Sequence, residues 1–200
     1  IRHIREDSLA VLIDMPGEKA LRDNTDHFVK RDTIACMCPA CCATALYAMQ
    51  TNAPAGGVGF RTSLRGGGPL TTLVMGTEPY DALWHLVWLN VLEREVFLRS
   101  CGNQDKTADN DKYPWIGKTR TSEKNSGVDT TPHDVHPTQI FWAMPRRIRL
   151  SLEHLKGGVC GICGNHSDGL INTYRDKNYG PSYVGPWLHP LSPHWRDKDG

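Results

Sequence analysis

The sequence predicts an α+β fold, an irregular, loop-rich single domain stapled by a four-cysteine structural zinc site. Three observations carry that expectation. Nineteen glycines and thirteen prolines among 200 residues break the chain into short elements joined by loops. Segments with helical and strand-like apolar spacing alternate without an internal repeat. Two C-x-x-C units, Cys38-Pro-Ala-Cys41 and Cys160-Gly-Ile-Cys163, stand 118 residues apart, so an ion shared between them would clip two remote segments together.

The elements follow in chain order. Ser8 to Ile13 form a short apolar run open to helix or strand. From Pro39 to Gln50 the residues Cys42, Ala45, Leu46 and Met49 recur at helical spacing, with Pro39 suited to the first turn. The first cysteine pair therefore leads directly into a helix. Between Gly56 and Gly68 six of thirteen residues are glycine, a density that neither helix nor long strand survives. Leu70 to Val74 reads as a strand, and Thr77-Glu-Pro-Tyr-Asp as the start of a helix ending near Arg99. On that helix Trp84, Trp88, Val91 and Leu98 share a face, with Leu83 and Val87 beside it, and such a stripe is expected in a core. Residues 103–134 form a polar excursion, expected to be mobile, with only Tyr113, Trp115, Ile116 and Val128 as large apolar units. A strand is expected after Pro145 and another at Leu170 to Tyr174, followed by an extended proline-rich tail.

Composition removes several function classes. Lys and Arg number 23 against 22 Asp and Glu, a net charge of +1, so no overall field draws the chain to a polyanion and any nucleic-acid contact must be local. The longest apolar stretch, Leu83 to Leu98, is interrupted by His85, Asn90, Glu93, Arg94 and Glu95, so no transmembrane helix is expected. The first residues are charged and lack the apolar core of a signal peptide. A start without Met and an end at Lys198-Asp-Gly lead to the expectation of a piece of a longer protein.

The cysteines point to a metal in a reducing cytoplasm. Seven thiols, two of the pairs in C-x-x-C units, fit a disulfide framework poorly and a tetrahedral four-thiolate site well. A two-residue spacer lets both sulfurs of one turn face an ion about 2.3 Å away. Closing a loop of about 100 residues removes, by analogy with a disulfide, about 4–5 kcal/mol of unfolded-chain entropy. Four thiolates leave no open position for water, which favours structural over catalytic zinc. A thioredoxin-like redox pair and coincidental buried cysteines are the other readings. Cys36, Cys42 and Cys101 are expected to be ordinary buried thiols.

Other motifs carry less. The glycine segment lacks the Gly-Lys-Ser or Gly-Lys-Thr of a phosphate loop, and the dinucleotide pattern beginning at Gly57 places Thr62 where its third glycine belongs. Glycines do allow a backbone to approach a partner surface closely, a DNA groove included, and Arg61 and Arg65 in the same segment suit flanking phosphates. The alternative is a tight turn with solvated arginines. His133, His136, His189 and His194 come without a carboxylate constellation and read as loop histidines. Arg146, Arg147 and Arg149 form a basic cluster suited to nucleic acid, a partner subunit or solvent.

Several blocks in order resemble the CasA family, the large subunit of the type I-E CRISPR surveillance complex Cascade. They are Phe28-Val-Lys-Arg-Asp, Cys38-Pro-Ala-Cys41, the run from Asn52 through the glycines to Val74, Trp88-Leu-Asn-Val-Leu, Gln139-Ile-Phe-Trp-Ala-Met-Pro-Arg-Arg-Ile, the second C-x-x-C and Trp187-Leu-His-Pro-Leu-Ser-Pro. The resemblance implies that residues 1–200 are the central part of the family's N-terminal domain, without its C-terminal helical bundle. It implies a non-catalytic subunit that recognises the protospacer-adjacent motif in double-stranded DNA, supports R-loop formation and helps recruit a helicase-nuclease, with crRNA and the other Cascade subunits as partners. By the same likeness Gly57, Val58 and Gly59 lie against the minor groove, with Val58 where relatives can carry glycine. Lys177 is the nearest candidate for a second groove contact, and Phe28, Val29 and Lys30 match the loop that meets the crRNA 5′ end. A purely architectural zinc-stapled subunit and a zinc-dependent enzyme are the rival functions.

Overall fold

The computed structural model describes residues 4–9, 12, 21–25, 33–53, 57–64, 72–78, 82–100 and 103–191. Where length alone points to one domain, the backbone divides into two units, Ile1–Gln50 with Arg146–Tyr179, and Thr51–Pro145 with Gly180–Gly200. The second unit is thus an excursion out of the first, and a local pattern in the sequence carries no mark of it.

The first unit holds a three-stranded antiparallel sheet in the order β1 (Ile4–Ser8), β5 (Thr173–Lys177), β2 (Arg147–Leu150), and a hairpin of β3 (Lys156–Val159) with β4 (His166–Leu170). Period-two alternation sets the faces of the sheet. Tyr174 and Asp176 are buried on one side, where Ile148 and Leu150 also pack against the core, so Arg147, Arg149, Arg175 and Lys177 take the other. The strand expected after Pro145 is therefore present. The strand expected at Leu170 to Tyr174 is instead the end of β4 and the start of β5. Between them Ile171 leaves the hairpin and exchanges two backbone bonds with Met37, N–H to O 2.9 Å in each direction.

Helix α1 (Pro39–Thr51) forms where its apolar spacing predicts, with Pro39 at the first position, where a missing N–H costs nothing. Its Cys42 and Ala45 join Leu9, Leu12, Ile34, Met37, Cys160, Ile171 and Tyr174 in one buried cluster. Leu9 and Leu12 thus place part of the Ser8 to Ile13 run in the core, while β1 lies upstream of it, in a charged segment that period-two reading passes over. Gln50 closes the unit. Its buried amide donates to the Arg146 carbonyl at 2.8 Å and accepts from the Arg146 N–H at 2.9 Å, tying together the two points where the chain leaves and re-enters.

Among its described residues the second unit has three short helices, α2 (Leu83–Trp88), α3 (Arg94–Ser100) and α4 (Asp109–Lys112), and two 3₁₀ turns, Pro132–Asp134 and Pro137–Phe141. The single helix expected from Thr77 to Arg99 is broken in two. Asn90 causes the break: its Nδ2 donates to the Leu86 carbonyl at 2.8 Å and to the Val74 carbonyl at 2.9 Å, while its Oδ1 accepts from the Val74 N–H at 2.7 Å. Of the strand expected at Leu70 to Val74, residues 70 and 71 lie outside the described residues, and 72–76 form no strand: Val74 pairs with this side chain, and Thr72 N–H donates to the Leu191 carbonyl at 2.8 Å. The apolar stripe of the expected helix is not core. α2 has no buried residue, and Trp84 and Trp88, edge-to-face with centroids 5.5 Å apart, are 66% and 55% exposed. Among the described residues no helix is long and apolar enough to cross a membrane.

Within residues 103–134, α4 docks on the second 3₁₀ turn. Gln139 donates to the Asp111 carbonyl at 2.6 Å and the Trp142 indole to the Lys112 carbonyl at 2.7 Å. Tyr113 stacks on Trp142, with Trp115 against both. The Tyr183 hydroxyl accepts from the Met144 N–H at 3.0 Å, and burial pushes its pKa up to about 12.

Candidate metal centre and glycine turn

Four cysteines that the sequence separates are brought together in the first unit. Cys38 and Cys41 sit at the start of α1, and Cys160 and Cys163 in the turn between β3 and β4. Their Sγ atoms all lie within 4.8 Å of one another, and Cys38 and Cys163 are 4.0 Å apart. A tetrahedron of thiolates about 2.3 Å from a central zinc has edges of about 3.8 Å, so the four sulfurs stand within a small adjustment of such a site. The donor set and the spacing both fit a four-coordinate thiophilic cation.

The backbone builds this site. The Met37–Ile171 bridge lays the first cysteine segment beside the hairpin, and Gly161 N–H donates to the Cys36 carbonyl at 3.0 Å to fix the turn. Inside the turn Cys160 N–H donates to Asn165 and Gly164 N–H to Cys160, at 2.9 and 3.0 Å. Gly164 has φ +73°, a backbone that a side chain would strain. The sulfurs are not equivalent. N–H groups of Cys163, Cys38 and Ile162 point at Cys160 and hold its pKa down to about 6, with Cys38 N at 3.3 Å. Hydrogen bonding from Cys38 heads the effects that push Cys41 up to about 12. With no counter-charge the four thiols resist joint ionisation; a divalent cation removes that obstacle.

The remaining thiols behave differently. Cys42 is fully buried, donates to the Met37 carbonyl at 3.6 Å, and is pushed up to about 11 by burial. Cys36 is only half-buried and donates to the Val159 carbonyl at 3.7 Å. Cys101 lies outside the described residues. Of the histidines, His136 is not a loose loop residue: its Nδ1 accepts from the Thr138 N–H at 3.2 Å and caps the second 3₁₀ turn. His189 is buried with its ring against Phe141 and its Nδ1 accepting from Leu191 N–H at 3.1 Å.

Of the glycine segment, in the second unit, residues 57–60 form a reverse turn. Phe60 N–H donates to the Gly57 carbonyl at 3.1 Å, with Gly57 at φ +90° and Gly59 at φ +78°. Val58 at the tip is 78% exposed, and a Cβ built on Gly57 would meet nothing within 4 Å. Arg61 is partly tethered, its Nε donating to Ser122 Oγ at 2.8 Å, and Ser122 passing its own proton to the Gly180 carbonyl at 2.8 Å. Arg65, Phe28, Val29 and Lys30 lie outside the described residues. Lys177 ends β5 in the first unit, opposite Arg147. Sequence reasoning missed the amide donors of Cys163 and Ile162; the Cys-Gly-Ile-Cys-Gly pattern that supplies them was readable.

The chain thus combines short elements, a cluster of four cysteines and an exposed glycine turn. Its sequence matches the family described as CRISPR-associated protein Cse1 over residues 3–200, and the chain belongs to that family. It is therefore of the type I-E CRISPR class whose members work as a Cascade component with the other Cascade subunits.

Proposed function

We propose that this chain is a non-catalytic reader of the protospacer-adjacent motif in double-stranded DNA, acting within Cascade in the cytoplasm. Its partners are crRNA, target DNA and the helicase-nuclease that it helps to recruit after supporting R-loop formation. One observation supports the DNA reading above the others: a solvent-exposed turn with glycine at both positive-φ positions, so that main chain stands open on either side of the exposed Val58 side chain. The minor groove offers a degenerate donor and acceptor pattern, suited to a reader that tolerates several motifs. Gly57, Val58 and Gly59 make that approach, with Arg61, Arg65 and Lys177 at phosphates or the groove edge, and Phe28, Val29 and Lys30 at the crRNA end.

The metal is one structural zinc held by Cys38, Cys41, Cys160 and Cys163. Bound there, it supplies charge neutralisation for four thiolates; the chain's own Cys163, Cys38 and Ile162 amides orient Cys160, and the hairpin carries β4 into β5. The residues read as the middle of an N-terminal domain, with 103–134 as its polar insertion.

The test is reconstitution of the full-length protein with the remaining Cascade subunits and guide. Gly59→Asp places a carboxylate where phosphates approach, at a backbone angle that resists a side chain. Affinity for duplexes with a correct flank should fall roughly tenfold or more, the equivalent of about 1.4 kcal/mol. An unchanged affinity would favour the architectural reading, which the Arg61–Ser122 tether already suits.

A further inference from the structure

The polar excursion of residues 103–134 meets the glycine turn through one side chain. Val128 N–H donates to the Thr121 carbonyl at 2.8 Å and Gly127 N–H to the Glu123 carbonyl at 2.7 Å, so residues 121–128 close into a tight turn. Glycine is required at 127, because a Cβ there would lie 2.5 Å from the Ser122 carbonyl carbon. Backbone geometry therefore fixes this turn, and with it the placement of Ser122.

The Ser122 hydroxyl donates its proton to the Gly180 carbonyl at 2.8 Å. With that proton committed it meets Arg61 as an acceptor, and Arg61 Nε donates to it at 2.8 Å. The two bonds run in one direction, Arg61 to Ser122 to Gly180, each polarising the other. A guanidinium is a rigid planar fork. Ser122 takes its Nε, and among the described residues Nη1 and Nη2 have no partner. Glu123 stands next to Ser122 in sequence, but it is engaged elsewhere and forms no ion pair with Arg61. Arg61 directly follows the turn of residues 57–60 and is half-buried. It is thus a cation already held in place, with the end of its fork available to an anion beside the exposed turn.

We infer that Ser122 is a positioning residue: it holds Arg61 so that Nη1 and Nη2 grip a phosphodiester of the duplex that the glycine turn approaches. The inference rests on the DNA-reading function proposed above and deepens it, giving residues 121–128 of the excursion a task in binding. Two parallel N–H donors match two phosphate oxygens, and an arginine fixed beforehand loses less rotamer freedom when it binds. Such a contact sets the register of the duplex without reading its sequence.

The experiment uses full-length protein in the assembled complex with a duplex bearing a correct flank, over a range of salt. Arg61→Ala should make the slope of log affinity against log salt shallower by about 0.9, the value for one phosphate. Ser122→Ala keeps every charge, yet should weaken binding about three- to tenfold. In the Arg61→Ala background the same change should cost nothing further, whereas a merely structural serine would weaken both backgrounds equally. Ser122→Thr, which keeps the hydroxyl, should restore wild-type affinity. An unchanged slope in Arg61→Ala, equal losses from Ser122→Ala in the two backgrounds, or no recovery with threonine each overturns the inference. Should Ser122→Ala fail to assemble, Arg61→Lys decides: the charge stays but the fork is lost, so affinity should fall, and wild-type affinity there overturns the inference. Gly59→Asp separates the two proposals. If it leaves binding intact while Arg61→Ala flattens the slope and Ser122→Ala acts only through Arg61, the glycine-turn reading falls and the phosphate grip stands. If it weakens binding while Arg61→Ala keeps the slope, the grip falls and the flank reading stands.

Discussion

At the scale of single residues, the structure turns on side chains that stand in for backbone. Gln50 completes the hydrogen bonding of Arg146 from both sides and is itself buried. Gln50→Ala leaves a buried N–H and C=O without partners, so stability should fall by about 2–3 kcal/mol, read from urea unfolding; a loss under 0.5 kcal/mol would contradict the role given to it. His136 yields a pH prediction. Burial lowers its pKa below the ordinary 6.5, and its Nδ1 must stay unprotonated to accept from Thr138. Protonation therefore favours the unfolded chain: the cap's contribution is complete above 6.5 and is lost as pH falls through the folded value. Asp134, held low first by the Thr131 N–H, acts in the same direction at still lower pH. Trp142 fluorescence should report earlier unfolding at pH 5 than at pH 7, and His136→Asn, a cap that does not titrate, should flatten that difference. The cysteines were legible because their spacing is itself the chemistry. Gln50, Asn90 and His136 were not, since nothing in a polar residue's neighbourhood says that a distant backbone needs it.

At the scale of elements, α1 and β2 were legible from periodicity and a bounding proline, each carrying its apolar residues into one core. The Thr77 to Arg99 segment shows where period fails. Its apolar spacing is helical throughout, yet Asn90 diverts to Leu86 and Val74 and splits it into α2 and α3. Burial cannot be inferred from such a stripe either, because Trp84 and Trp88 stand exposed on a helix without buried residues. The β3–β4 hairpin makes the complementary point. It is short and rich in glycine, and it carries Cys160 and Cys163 in the turn at its tip. Removing metal from the protein should increase amide exchange in Lys156–Val159 and His166–Leu170 by more than in β2; equal protection with and without chelator would show that the hairpin does not depend on the ion.

At the scale of the whole molecule, the long separation of the cysteine pairs has a simple origin. The second unit is inserted between them, so both pairs belong to the first unit while 118 residues of sequence divide them. Length and composition pointed to one domain because an inserted unit changes neither. The family blocks were legible for the opposite reason: several short motifs in fixed order survive whatever the loops between them do, and the match runs over residues 3–200. The account depends on four thiolates closing on one ion. Native mass spectrometry of the purified protein, with alkylation under native conditions, tests that directly. One zinc per chain with Cys38, Cys41, Cys160 and Cys163 protected until a chelator is added is the predicted result; a metal-free chain whose exposed Cys163 and half-buried Cys38 react at once would contradict it.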